Sequence, residues 1–369
     1  MQAANQKLLQ AELESLLQTI SISSNQLESL RQAPIGDSGG LEQIENSLVM
    51  LYKAMITIDP ELGASRPRKS EDGSIKSGTR TGYGNSDIGT MRVLQEKKDV
   101  YQSECTQFMQ RLRGFLQIQF GVALQETRQA LDREKSGQIS RTVAKIRLDP
   151  RNHDLARAML WKYNPLMLFS REVDRLAWED FIKTYEFVCK SLYQGEFQDA
   201  IASWQRLVRK PTGDEGEILF TAQQEKQGEN LATAARKLTV KRSQTLAKSL
   251  RSPVGDSAGK VDKTSDGRLH PYEVFTSVLD ELVPIVVMEQ NFVVEFFHLS
   301  SLEQHDFPEA VALALPDARR GGNDLKAVKV MEPHRGLARQ VVQIMEDIYA
   351  FLPADLQKLV EQSVRADAL

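Results

Sequence analysis

The chain has 369 residues, 41% hydrophobic and 26% charged, with a formal net charge of −3 at neutral pH. That is enough apolar material to core two or three ordinary domains or one elongated helical assembly, and the charge excludes a global pull toward nucleic acid. Two cysteines far apart in sequence, Cys105 and Cys189, exclude a disulfide framework and a cysteine-rich zinc site, and point to a reducing compartment with buried thiols.

The N-terminal stretch is polar and amphipathic, with none of the continuous apolar run of a signal peptide. Leu8, Leu9, Leu13, Leu16, Leu17 and Ile20 recur at three- and four-residue steps, which predicts a coiled-coil-like helix over 4–31. A loop at 34–40 ends it, and a second helix follows from Leu41 to about Ile58, stopped by Asp59-Pro60. Residues 1–60 therefore read as one helical segment. Residues 61–90, rich in Gly, Ser and charge, read as a flexible loop. No strand alternation or hairpin dipeptide pattern stands out anywhere in the chain.

A helical-bundle segment is expected over 91–225. Its first part is one long helix from about Met91 to Glu134, with Met91, Leu94, Val100, Tyr101, Phe108, Met109, Leu112, Phe115, Leu116, Val122 and Leu124 on its apolar stripe. An aromatic-rich part follows, with Trp161, Tyr163, Phe169, Trp178, Phe181, Tyr185, Phe187, Tyr193, Phe197 and Trp204 as core candidates and Pro165 breaking or starting a helix. Residues 226–268 hold ten Lys/Arg against four Asp/Glu. Within them Arg236, Lys237, Lys241, Arg242, Lys248 and Arg251 form a candidate contact for anionic lipid; the stretch has no aromatic residue for base stacking, which argues against nucleic acid.

Residues 269–369 read as a second bundle segment. Val274, Val278, Leu282, Ile285, Met288, Phe292, Phe296 and Leu299 fall on one helical stripe, widened by Leu279, Val286, Val293 and Phe297. A helix apolar over so much of its circumference is buried on several sides, as the centre of a bundle or a subunit interface, and Pro284 is expected to kink it. Phe275, Leu282, Phe292, Phe296, Phe297, Trp161 and Trp178 are the candidate core or interface anchors. A final helix from about Pro333 to Phe351 is followed by the start of another at Leu356.

The chemistry-bearing patterns are sparse. Asp262, Thr264, Asp266, Gly267, Leu269 and Glu273 match positions of a calcium-binding loop, but a Ser/Pro/Gly stretch precedes them instead of an entering helix, and a turn capping the helix at Pro271 accounts for the same residues. The glycines near Gly82–Gly89 have the wrong spacing for a phosphate loop. His153, His270, His298, His305 and His334 are scattered, with His298 expected inside an apolar helix. No carboxylate pair stands out in an apolar setting. No metal, cofactor or catalytic residue is called, and the expectation is a protein that is not an enzyme.

Four stretches resemble the exocyst complex component 1 family, in its fungal type. They are Asp266–Phe275 (DGRLHPYEVF), Glu289–Leu299 (EQNFVVEFFHL), Tyr163–Phe169 (YNPLMLF) with Val173-Asp174 after it, and Ala338 through Pro353. The resemblance implies an all-α, elongated helical-bundle rod of the multisubunit tethering type. It implies a non-enzymatic scaffold that tethers secretory vesicles to the plasma membrane before fusion, cytoplasmic and peripheral at sites of polarised secretion. Other exocyst subunits are the implied partners, with a small GTPase as a further one and anionic membrane as a weak contact. It also implies a partial chain, lacking the N-terminal PH domain and the C-terminal helical part. The alternative is a peripheral lipid- or calcium-binding helical adaptor.

Overall fold

The structure, a computed structural model, describes residues 17–59, 92–138, 148–208, 269–302, 305–319 and 332–367, the strand residues 67–69 and 75–77, and the isolated positions Gln10, Glu14, Leu62 and Leu325. The class is all-α, a helical bundle with one small hairpin. Two compact units are distinguished, and they do not follow the order of the sequence. The first comprises Met1–Phe197 and Leu282–Ala350; the second comprises Gln198–Glu281 and Phe351–Leu369.

The first unit opens with an interrupted helix. Residues 17–20 are helical, Ser21–Ser23 are not, and helix α1 runs Ser24–Gln32. The single helix expected over 4–31 is thus broken, because Ser23 caps a new start: its backbone N–H donates to the Gln26 side chain at 2.9 Å. Helix α2 (Ser38–Ile58) begins at the N-cap Asp37, whose carboxylate accepts the Gly40 N–H at 3.0 Å. Gly40 is required there, since a Cβ would lie 2.2 Å from the Pro34 carbonyl oxygen. Leu41, Ile44, Leu48, Leu51, Met55 and Ile58 alternate three- and four-residue steps along α2 and are all buried, the spacing of a coiled-coil seam.

Residues 61–90 are not all loop. Strands β1 (Pro67–Lys69) and β2 (Ile75–Ser77) pair antiparallel, with Pro67 opposite Ser77 and Lys69 opposite Ile75. The connection carries Asp72-Gly73, a turn dipeptide that marks such a hairpin in sequence.

Helix α3 (Arg92–Gln138) has 47 residues and spans about 70 Å at the usual rise per residue. Leu94, Tyr101, Phe108, Met109, Leu112, Leu116 and Leu124 are buried as expected, joined by Cys105, Phe120 and Leu131. Val100 and Val122 are instead exposed, because each lies a residue outside the arc that faces the bundle. A 3₁₀ turn (Pro150–His153) leads into α4 (Asp154–Trp161), α5 (Asn164–Val173, with Pro165 in its first turn) and α6 (Arg175–Gln205). Six consecutive residues of α5, Pro165–Ser170, are buried, so that helix is enclosed on all sides.

Helix α7 (Pro271–Phe296) continues through Pro284. All eight residues of its expected stripe are buried, while Leu279 and Val286 are half-buried. Helix α8 (Phe307–Leu313) puts Phe307 against Tyr52 and Phe169, with ring centroids 5.7 and 5.0 Å apart. A 3₁₀ turn (Pro316–Ala318) and α9 (Arg335–Ile348) complete the described part of this unit. Arg319 makes a two-pronged buried pair with Glu45, at 2.6 and 2.8 Å, and donates to the Lys162 carbonyl at 2.8 Å.

The second unit contains the last turns of α6, the first turns of α7 and helix α10 (Leu352–Asp367). Trp204 donates its indole N–H to Glu281 at 3.1 Å, and the Gln198 amide reaches Asp355 at 2.9 Å. The Leu269 N–H donates to the Leu207 carbonyl at 2.9 Å, in a single parallel bridge.

Candidate scaffold site at the end of helix α7

Helix α7 ends in a two-bond C-cap. The Leu299 N–H reaches the Val294 carbonyl at 2.8 Å and the His298 N–H reaches Glu295 at 3.3 Å. This pattern needs a left-handed residue between them, where glycine is usual. His298 occupies it, at φ 56°, so it lies beyond the helix and not inside it as the sequence suggested. A side chain in that conformation costs about 1–2 kcal/mol.

That cost is offset by bonds from two other helices. His298 Nε2 donates to the Asn164 carbonyl at 2.9 Å. The Asn164 amide in turn donates to the carbonyls of Glu295 and Phe296 at 3.0 and 3.3 Å. Trp178 donates its indole N–H to Phe297 at 3.1 Å, and Arg171 donates to the His298 carbonyl. Four successive carbonyls at the helix end thereby accept side-chain bonds, and three of them, those of Phe296, Phe297 and His298, take no part in the two cap bonds. Two of the sequence stretches singled out above, Glu289–Leu299 and Tyr163–Phe169 with the residues after it, meet here. Replacing His298 with Gly removes one bond and relieves the backbone, whereas Ala removes the bond alone. His298→Gly is therefore expected to be about 1 kcal/mol more stable than His298→Ala. Equal urea midpoints for the two variants would overturn this account of the cap.

Above the cap stands an aromatic cluster. Phe292 and Phe296 stack at 5.1 Å, and Phe296 meets Phe297 edge-on at 4.9 Å. Trp161 lies 5.8 Å from Phe292, and Tyr185 lies 5.8 and 5.5 Å from Phe292 and Phe297. Five of the seven anchors called from sequence, Phe292, Phe296, Phe297, Trp161 and Trp178, thus gather at one end of α7. Leu282 is buried further back along the helix in the same unit, and Phe275 is half-buried in the other.

Sequence reasoning missed a buried polar cluster beside them. Glu289, 1% exposed, accepts from Arg157 at 3.0 Å and from the hydroxyls of Tyr185 and Tyr193, both at 2.6 Å. His153 Nε2 lies 3.0 Å from the buried Glu196 carboxylate, and its ring stacks on Tyr193. Burial lowers the Arg157 pKa, but Tyr193, Glu289 and Tyr185 more than reverse this and hold it above the ordinary arginine value. Burial raises both tyrosine hydroxyls well above the usual phenol range, with Cys189 and Glu289 adding for Tyr185. The only sequence signal was Glu289 itself, a charge one step off an otherwise apolar stripe.

The arrangement is chemically quiet. Glu289 is held by three donors that fix its position, which suits a structural brace. Burial pushes the Cys105 thiol up to about 12 and the Cys189 thiol well above its usual value, so neither supplies a thiolate. No group of three metal-ligating side chains occurs among the described residues. The Glu273 carboxylate accepts the His270 N–H at 2.9 Å, capping α7, and the remainder of the calcium-loop match before Leu269 lies outside the described residues. Arg236, Lys237, Lys241, Arg242, Lys248 and Arg251 also lie outside them. Among the described residues, no helix is long and apolar enough to cross a membrane.

Residues 1–57, which include α1 and nearly all of α2, match the family model described as Exocyst complex component Sec3, coiled-coil. Residues 296–369 match the model Exocyst complex component Sec3, C-terminal. Both are models of the exocyst Sec3 family. The second begins at Phe296, so the cap residues Phe297 and His298 fall inside it, while residues 58–295 are matched by neither model. No curated protein and no solved structure matches the chain.

Proposed function

We propose that this chain serves the exocyst as a non-enzymatic helical scaffold, tethering secretory vesicles to the plasma membrane before fusion. The observation that carries this reading is the pair of family matches, one at each end of the chain and both to Sec3. The structure supports it in kind: long helices with heptad seams, and polar groups spent on bracing helices and not on a reactive cleft. Binding in such a protein is spread over helix faces, with aromatic anchors carrying most of the energy. The partners on this reading are other exocyst subunits, and the site of action is the cytoplasmic face of the plasma membrane. The basic residues between 236 and 251 suit a secondary contact with anionic lipid on charge alone.

Purification of the tagged chain from cells, with mass spectrometry of what accompanies it, tests the assignment. Stoichiometric recovery of other exocyst subunits is expected. A folded, helical chain recovered without any of them would overturn it.

A further inference from the structure

Helices α3 and α6 run side by side with Phe120 against Tyr185, and on their solvent side they leave an open groove of about 540 Å³. Leu124, Val188 and Phe187 line it, with Gly121 in its α3 wall. Phe187 is 81% exposed, although the sequence places it among core aromatics. It projects where α6 meets water because its neighbours Tyr185 and Cys189 take the buried positions. Ile118, one turn before Gly121 on α3, is 65% exposed and extends the apolar surface. The lining also includes Arg128 and Lys190, and no carboxylate. Arg128 donates to the Ser191 hydroxyl at 2.9 Å, which holds the cation at the groove.

We propose that this groove docks an amphipathic helix of a partner protein, one whose apolar stripe is flanked by Asp and Glu. The apolar lining takes the stripe, Phe187 anchors it, and Arg128 and Lys190 meet the carboxylates. A concave surface suits a helix better than a bilayer, which is read by convex aromatic and basic projections. Two other occupants are disfavoured by charge. Residues 226–268 of the same chain carry ten cations against four anions and would be repelled. A second copy presenting the same groove would set Arg128 and Lys190 against their own symmetry mates.

The test uses the whole chain and three fluorescein-labelled helical peptides that share one leucine heptad and differ only in their flanking residues: Glu, Gln or Lys. Anisotropy is expected to rank them Glu, Gln, Lys, with about tenfold between the extremes at low salt and a smaller gap at high salt. Phe187→Ala is expected to weaken the Glu peptide at least about tenfold. Gly121→Leu fills the groove and is expected to do the same while leaving the fold intact, because a Cβ there meets nothing within 4 Å; an unchanged thermal melt checks this. Affinity independent of flanking charge, or unaffected by both variants, overturns the proposal. So does Phe187-dependent pelleting with phosphatidylserine vesicles without peptide binding, which would assign the face to membrane, or a Phe187-dependent dimer in sedimentation, which would assign it to a second copy. None of these readouts depends on exocyst assembly, so the two readings fail separately.

Discussion

The double variant Phe292→Ala/Phe296→Ala is expected to abolish the folded state of the first unit. Both rings are fully buried, stack on each other, and touch Trp161; Phe292 also touches Tyr185 and Phe296 touches Phe297. Each truncation costs about 3–5 kcal/mol in lost transfer energy and cavity. The two share a contact, so their losses are not strictly additive. Even so, their combined cost rivals the whole stability of an ordinary domain, about 5–15 kcal/mol. The expected result is loss of the cooperative thermal transition. The single variants should remain folded with lowered midpoints. A double variant that melts near the parent, and still binds its partners, would show that the cluster is neither core nor contact.

The second large effect is expected at Glu289. Glu289→Gln keeps the shape but leaves the buried Arg157 guanidinium with only the exposed Asp154 carboxylate, 3.9 Å away, as counter-charge. Arg157 is only 5% exposed, and its Nε and Nη1 already lack hydrogen-bond partners. Breaking such a pair costs about 3–5 kcal/mol. Removing both charges at once, as Arg157→Met/Glu289→Met, is expected to cost less than Glu289→Gln alone, because no uncompensated ion remains. Urea denaturation of the three proteins measures this. If Glu289→Gln falls within about 1 kcal/mol of the parent, the brace carries little energy and the cluster has another reason to exist.

Much of the helical skeleton is legible in the chain. The stripe on α7 needs only the 3.6-residue period, and all eight of its members are buried. The start of α2 lies at Ser38, three residues before the Leu41 expected, whereas its end is marked by Asp59-Pro60, a local signal that needs no partner. The same holds for Pro165 at the start of α5. Of the four strings that carry the exocyst resemblance, Ala338 through Pro353 lies within the C-terminal family match and Glu289–Leu299 overlaps its start.

Where local rules failed, the outcome depended on neighbours distant in sequence. Phe187 and Tyr185 are both aromatics on α6, two positions apart, and nothing local says which one faces α7 and which faces water. A lone glutamate on an apolar helix reads as a solvated edge until Arg157, Tyr185 and Tyr193, roughly a hundred residues away, are folded around it. His298 reads as helical until Asn164, Trp178 and Arg171 take the carbonyls that would have continued the helix. The sequence by itself determined which segments are helices and which face of each is apolar, since periodicity and capping are properties of consecutive residues. Only the tertiary structure decided which charges are buried, where α7 ends and which aromatic is left in the groove, because each depends on groups brought together from segments far apart in the sequence.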